Sequence, residues 1–206
     1  MLYEIHRYPA DLIDVLHLSD GQRVVIRPVL PQDEAVTGAF FHDLRAASRY
    51  DRFLGPMRTL PPGLLAHLTH VDYSDHLALM AEVFADRHET VIAEARYARG
   101  PDKTSAEFAV SVADAWQGKG LARLLLGKLA SRAVAAGVTR FHGETLASNR
   151  RMLDLARKAG FVARPSPDVA GLMLLEKQLS TPPSKHDGTG APAASLPAAW
   201  GLSDFG

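Results

Sequence analysis

The chain contains no cysteine. Disulfides, cysteine-ligated zinc and thiolate catalysis are thereby excluded. So is the nucleophile that a ping-pong acyl transfer would most naturally use. An excess of either charge is also missing, since 23 Lys and Arg stand against 23 Asp and Glu among 206 residues. Nucleic-acid binding needs a basic excess or one concentrated basic face, so no nucleic-acid partner is expected. No apolar run approaches the ~18 residues of a membrane span. Glu4, His6, Arg7 and Asp11 interrupt any apolar leader at the start of the chain. A soluble, cytoplasmic protein with no membrane partner is the expectation.

What is present suffices for one core. At 47% hydrophobic residues, a chain of this length folds by default as one domain. Val24-Val25-Ile26 reads as a strand ended by Pro28, and Pro31 and Asp33 open a helix through Phe40, Phe41 and Leu44. Pro61-Pro62 begins a short helix with Leu64, Leu65 and Leu68. Leu77 to Phe84 and Val91 to Tyr97 read as two strands, and a third, preceded by Asp102, ends near Ala113. Leu121, Leu124, Leu125 and Leu129 follow the spacing of a one-sided helix, which Gly137 stops. Thr139 to Leu146 is another strand. Ser148 is the expected N-cap of a last helix, Gly160 its stop, and Leu172 to Glu176 a last strand. After Leu179 the chain is dominated by Pro, Ala, Gly and Ser and has the composition of a disordered tail. Trp200 and Phe205 stand alone in it; docking of Trp200, on a second protomer for instance, is the other reading.

The most informative stretch joins the third of these strands to the one-sided helix: Asp114-Ala115-Trp116-Gln117-Gly118-Lys119-Gly120-Leu121-Ala122. Two glycines one residue apart, where a strand turns into a helix, let backbone N–H groups converge on one concavity. The helix macrodipole makes that place suitable for a phosphate or pyrophosphate, and Lys119 and Arg123 add full charges. The dinucleotide fingerprint would need a third glycine at position 123, which is arginine, and a P-loop would need Ser or Thr after Gly-Lys. Neither fits.

Gln-x-x-Gly-x-Ala at Gln117 to Ala122 resembles the acyl-CoA pyrophosphate loop of the GCN5-related N-acetyltransferases. Ser148-Asn149-Arg150-Arg151-Met152-Leu153 and Arg157-Lys158-Ala159-Gly160-Phe161 resemble that family's late helix and the turn after it. Tyr8-Pro9, Asp20-Gly21-Gln22-Arg23-Val24-Val25-Ile26-Arg27-Pro28 with Asp33, Ser48-Arg49-Tyr50-Asp51-Arg52-Phe53 and Glu107-Phe108-Ala109-Val110 are similar to the acetyltransferase domain of the bacterial protein-lysine acetyltransferases called Pat. The resemblance implies an α/β fold: a central mixed, mostly antiparallel sheet flanked by helices, with strands splayed at the acyl-CoA site. It divides the chain into an arm (residues 1–22), an acetyltransferase domain (23–179) and a tail (180–206).

Amine acetylation needs an anchored acyl-CoA, a polarised thioester carbonyl and an amine stripped of its extra proton. By resemblance, Gln117, Gly118, Lys119, Gly120, Leu121 and Ala122 meet the first need, and backbone N–H groups of Val110, Ser111 and Val112 the second. A lysine ammonium near pKa ~10 is protonated at neutral pH, so a carboxylate must take its proton. Glu107 matches the catalytic glutamate of the Pat-like enzymes. Strand alternation puts it on a face with Ala109, Ser111 and Ala113. Without the resemblance it reads as a solvated strand carboxylate; Glu94 and Glu144 are the reserve candidates. Asn149 matches the asparagine that bonds the pantetheine arm, or else caps the helix beside Ser148. Arg150 and Arg151 stand where the 3′-phosphate of CoA would lie, or simply solvate their helix. Many family members place a tyrosine seven residues after that asparagine to protonate the leaving thiolate; this chain has Ala156 there.

Nine histidines invite a metal, and His67, His70 and His76 lie close in sequence, but no Glu-x-x-His partner accompanies them; none is expected. The expected function is transfer of an acetyl group from acetyl-CoA to a primary amine, above all a protein lysine, in a ternary complex and by a monomer or homodimer. The alternatives are a small-molecule amine as acceptor and a non-catalytic acyl-CoA-binding regulatory module. In Pat proteins the domain is joined to a large regulatory or synthetase-like region, of which these 206 residues contain none, so regulation by it is not expected.

Overall fold

Residues that alternate between the two faces of a strand place every second side chain in a core, and Arg23–Pro28 does this with Val24, Ile26 and Pro28 inward. The computed structural model describes residues 8–85 and 88–179. Eight strands form one sheet: β1 (Asp14–His17), β2 (Arg23–Pro28), β3 (His76–Ala85), β4 (His88–Arg99), β5 (Ser105–Val112), β6 (Arg140–Leu146), β7 (Val162–Pro165) and β8 (Leu172–Gln178). Their order is β1-β2-β3-β4-β5-β6-β8-β7, and every neighbouring pair is antiparallel except β5 with β6. This is the mixed, mostly antiparallel sheet that the family resemblance implies. Five helices flank it: α1 (Glu34–Asp43), α2 (Ala46–Phe53), α3 (Pro62–Thr69), α4 (Leu121–Ala135) and α5 (Arg150–Lys158).

Two apolar layers sandwich the sheet. On one face Leu121, Leu125, Leu126 and Leu129 of α4 and Ala156 of α5 pack with Ile26, Leu79, Ile92, Tyr97, Phe108 and Phe141. On the other, Phe40 and Phe41 of α1 and Leu68 of α3 pack with Val29, Ala78 and Met80. Because both faces are covered, β4 is buried without a break from Val91 to Tyr97, which hides its period-2 pattern. The β3–β4 register shifts at Ala81/Glu82, where Ala81 pairs Ala93 but Glu82 pairs Val91. Ile92 is therefore the extra residue of a bulge.

Four details differ from the sequence expectation or go beyond it. Asp14–His17, within the arm, pairs with β2 after a turn at Gly21, where φ is +81°. Its short length and half-exposed alternation gave too little pattern to read as a strand. α2 is separate from α1, and β7 is exposed throughout. Asp33 stands at the start of α1 without capping it; its carboxylate accepts the Leu30 N–H at 2.7 Å and pairs with Arg27, which also holds Glu82. The tail with Trp200 and Phe205 lies outside the described residues. No helix among the described residues is long and apolar enough to cross a membrane.

Under α3 the second apolar layer contains a buried polar chain. Glu94 pairs with Arg96, whose Nη2 donates to the Leu68 carbonyl at 3.0 Å and whose Nη1 meets His76 Nε2 at 3.2 Å. Burial pushes the His76 pKa down to about 4, with Arg96 and His67 pushing the same way. Above its ordinary value of 6.5 the imidazole is neutral in both states. Between 6.5 and about 4 the unfolded chain binds a proton that the folded chain refuses, so stability falls as pH falls through that window. The loss amounts to at most about 3 kcal/mol. His76→Gln removes this contribution. Chemical denaturation of both proteins at pH 7 and pH 4.5 is expected to show the variant's disadvantage shrinking at the lower pH; a pH-independent difference would refute the assignment.

Candidate active site

The site begins where the sheet comes apart. β5 pairs with β4 through Val112, but with β6 only at Ser105–Arg140, Ala106–Phe141 and Glu107–His142. Beyond His142, β6 remains paired with β8 as far as Leu146. From Phe108 to Val112, β5 thus has a partner on one edge only. Gly143, the first residue of β6 past that pairing, lies so close to β5 that a Cβ on it would stand 3.0 Å from the Phe108 ring and 3.1 Å from its carbonyl. Phe108 itself is held between Phe141 and Phe161, with ring centroids 5.8 and 4.7 Å away.

Hydrogen-bonded pairs alternate along an antiparallel ladder. The bonds from Gly100 N–H to Ser105 C=O and from Ala113 N–H to Ile92 C=O, each 2.8 Å, set the phase. The N–H groups of Val110 and Val112 consequently point away from β4, across the gap, while that of Ser111 points into the ladder. Of the three backbone donors expected from the sequence, Val110 and Val112 have the right direction. Ser111 does not, and this corrects the expectation. Its hydroxyl is buried with no hydrogen-bond partner.

The loop after β5 brings a helix terminus to the same gap. Gly118 and Gly120 have φ of +81° and +83°, which side-chain-bearing residues rarely adopt. A Cβ on either would meet nothing within 4 Å, so the space in front of them is open. Gly120 is the N-cap of α4 and supplies no side-chain cap, which leaves the N–H groups of the first turn without side-chain acceptors. Gln117 steadies the approach by donating to the Val112 carbonyl at 3.1 Å and accepting from Arg151.

A cavity of about 600 Å³ runs along this gap. Glu107, Val110, Ser111, Val112, Gln117, Gly118, Gly120, Leu121, Ala122 and Asn149 all line it, as do Arg123 and Arg151. Lys119 does not. Its ammonium pairs with Asp20 and lies 5.1 Å from the ring centroid of Trp116, which itself lines the cavity. Asn149 resolves the capping question: its Oδ1 accepts the Met152 N–H at 3.0 Å, so it, and not Ser148, caps α5. The residue also lines the cavity.

The opposite wall is α2. Asp114, just past β5, accepts the Arg45 N–H at 2.9 Å and the Ser48 hydroxyl at 2.8 Å. Burial works against the charge on this carboxyl, but those two bonds hold it below the ordinary value. Arg49 ties the next turn down through the Met57 and Leu44 carbonyls. Ser48, Asp51 and Arg52 thereby line the cavity beside Glu107. Burial raises the Asp51 pKa, with Arg151 opposing. The sequence pointed to this segment through the family resemblance, which places the acceptor pocket at Phe40 to Phe53 and Phe161 to Leu172.

Of the reserve carboxylates, Glu144 is exposed on the far side of the gap and lines the cavity. Glu94 is 1% exposed, paired with Arg96 and outside the lining. Ala156 is equally buried, and among the described residues no tyrosine lines the cavity. Nor does any group of three or more His, Asp or Glu among them have the arrangement to hold a metal ion.

Residues 41–161 match the model of the Acetyltransferase (GNAT) family. Acetyltransferase PA5475 of Pseudomonas aeruginosa is 35% identical over 151 residues, 73% of this chain and 81% of that protein. Acetyltransferase Pat of Mycolicibacterium smegmatis is 35% identical over 144 residues, 69% of this chain but 42% of Pat, so the chain spans less than half of that relative. The crystal structure of the GNAT domain of S. lividans PAT superposes with a TM-score of 0.77 at 31% identity, covering 84% of this chain and 100% of that one. The yncA putative acetyltransferase from Salmonella typhimurium, solved with its cofactor acetyl-CoA, shares the fold at a TM-score of 0.61 and 23% identity, over 84% of this chain and 99% of that one. A family match over more than half of the chain, on a sheet that opens beside an uncapped helix terminus, means that this protein belongs to the GNAT acetyltransferase family.

Proposed function

We propose that the protein transfers an acetyl group from acetyl-CoA directly to a primary amine, that of a protein lysine, with Glu107 as general base. The observation that carries this reading is the meeting of three features in one cavity: the open edge of β5, the first turn of α4 and the Glu107 carboxylate. The relative named Pat and the PAT domain support acetyl transfer, and Pat-type enzymes suggest the lysine acceptor.

In this mechanism the pyrophosphate lies against the N–H groups of Gly118 to Ala122, where the helix dipole adds partial positive charge. The thioester carbonyl accepts from the Val110 N–H, which a neighbouring strand would otherwise occupy. Asn149 and the Val112 edge hold the pantetheine arm between them. Glu107 takes a proton from the incoming ammonium, the neutral amine attacks the carbonyl carbon, the oxyanion is stabilised by the same backbone donor, and the second proton of the nitrogen passes to water. Collapse of the intermediate breaks the C–S bond. With no tyrosine among the described residues lining the cavity, the thiolate takes its proton from water, and Glu107 returns its own to solvent. The absence of cysteine makes an acyl-cysteine intermediate impossible and agrees with a ternary complex.

Gly120→Glu is expected to abolish CoA binding, because its side chain enters the open space in front of the loop and sets a negative charge against the phosphates. Gly120→Ala carries the same left-handed strain without the charge and separates the two effects. Calorimetry giving near-normal CoA affinity for folded Gly120→Glu would remove the loop from the site.

Glu107→Gln keeps size and hydrogen bonding but not the base. CoA affinity should hardly move, while turnover at neutral pH falls by roughly 10²–10⁴. The deficit should narrow as pH rises and more of the amine arrives deprotonated, a rescue that a damaged fold would not show. Stopped assays of CoA release across pH, with acetyl-CoA and a panel of lysine peptides and polyamines, make the measurement. If the variant keeps most of its activity with chemistry rate-limiting, Glu144 becomes the base. Binding of CoA with no release on any amine would favour a regulatory module instead.

A further inference from the structure

The α2 wall of the cavity holds a cation for which the described residues provide no hydrogen-bond partner. Arg52 lines the cavity from α2, and its Nε is fully buried without a partner. Its guanidinium makes no ion pair among the described residues. Two rings hold it instead, the Phe53 centroid 5.1 Å and the Phe41 centroid 5.8 Å from its central carbon. Burial lowers its pKa, Glu94 and Glu107 oppose this, and Arg96 adds to it. An arginine Nε shut off from water without a partner is costly, and proteins seldom leave one so without a ligand. Two more orphaned atoms belong to the same corner. Glu94 and Ser111 face each other across β4 and β5, and the Glu94 Oε2 and Ser111 hydroxyl are both buried and unpaired.

The charges say which ligand. Arg52 and Arg96 stand against one buried carboxylate, Glu94, so the floor of this corner carries one excess positive charge. Glu107 compensates it only while ionised, and on the proposed mechanism it is neutralised once per turnover. An anion supplied by the acceptor would keep the corner balanced throughout. The planar fork of an arginine matches a carboxylate, and α2 is fixed by Asp114 and Arg49, so the fork is held in place before substrate arrives.

We infer that the preferred acceptor carries a carboxylate close to the amine that is acetylated, and that Arg52 receives it. For a protein acceptor this means a lysine with Asp or Glu beside it. The inference rests on the acetyl-transfer reading above and adds the substrate chemistry to it.

The test uses the full chain and two peptides alike in every respect except a Glu or a Gln next to the single lysine. The wild type should favour the Glu peptide by about 10- to 100-fold in kcat/KM, chiefly through KM, which is the range of a charge-assisted hydrogen bond. Arg52→Met should bring the Glu peptide down to the level of the Gln peptide, and Arg52→Lys, which keeps the charge but not the fork, should retain part of the preference. Unchanged CoA affinity by calorimetry reports that a variant is folded, and if Arg52→Met fails this check the lysine variant carries the comparison. Equal use of both peptides by the wild type, or a preference that survives in the folded methionine variant, overturns the inference while leaving acetyl transfer in place. Transfer to no peptide at all overturns both. A wild-type preference for succinyl-CoA over acetyl-CoA, lost in Arg52→Met, would assign the cation to the acyl chain and overturn the inference in a different way.

Discussion

Backbone groups removed from water must find partners, and a strand that loses its neighbour along one edge leaves its N–H and C=O groups facing whatever fills the gap. In this protein that edge belongs to Val110 and Val112, because β6 stops pairing with β5 at His142. Everything else in the site is arranged around it. Among the described strands the only parallel pair requires a crossover, and the crossover is α4, whose N-terminus therefore lies at the end of β5 where the gap opens. One change in pairing thus yields both a row of directed donors and a helix terminus beside them. Gly143, Gly118 and Gly120 supply the close approach and the left-handed turns that let backbone come near ligand without side chains between.

Much of this was legible in the sequence because local signals agree with the global fold. The spacing of Leu121, Leu125 and Leu129 marks α4, all three being buried, and the two glycines before them mark the loop. The open edge itself was legible only through the family resemblance. Which of Val110, Ser111 and Val112 faces the gap is a matter of ladder phase, and phase depends on β4, a strand elsewhere in the chain. Lys119 shows the opposite failure. A lysine between two glycines reads as a phosphate ligand, but Asp20, 99 residues away, and the ring of Trp116 take it instead. Arg52 and Asp51 lie in the stretch Phe40 to Phe53 that the resemblance assigns to the acceptor pocket, but which of its side chains face the cavity depends on the tertiary bonds that place α2.

The buried charges divide the same way. Arg27 joins Asp33 nearby to Glu82, and Arg96 joins Glu94 on its own strand to His76; the Glu82 and His76 contacts link distant segments that no local spacing announces. Both clusters form where β3 meets a neighbouring strand, and both use arginine, whose several donors can hold a carboxylate and a carbonyl together. Breaking one partner of such a set strands the rest in a low dielectric, so they constrain the packing of α1 and α3 more than they add to net stability. Glu94 illustrates the consequence for chemistry: a carboxylate committed to Arg96 is no free base, whatever its position on the strand.

Asp114 gives the cavity a property of another kind. It is covalently one residue from Ala113 at the end of β5, and its carboxylate holds both the N–H of Arg45 and the hydroxyl of Ser48 on the facing wall. The width of the slot is therefore set by the length of a single aspartate side chain. It behaves as a gauge between two walls whose spacing is established when the chain folds. The conformational freedom given up in bringing those walls together is lost at folding, and a ligand that enters later meets a preorganised gap and has no need to close one.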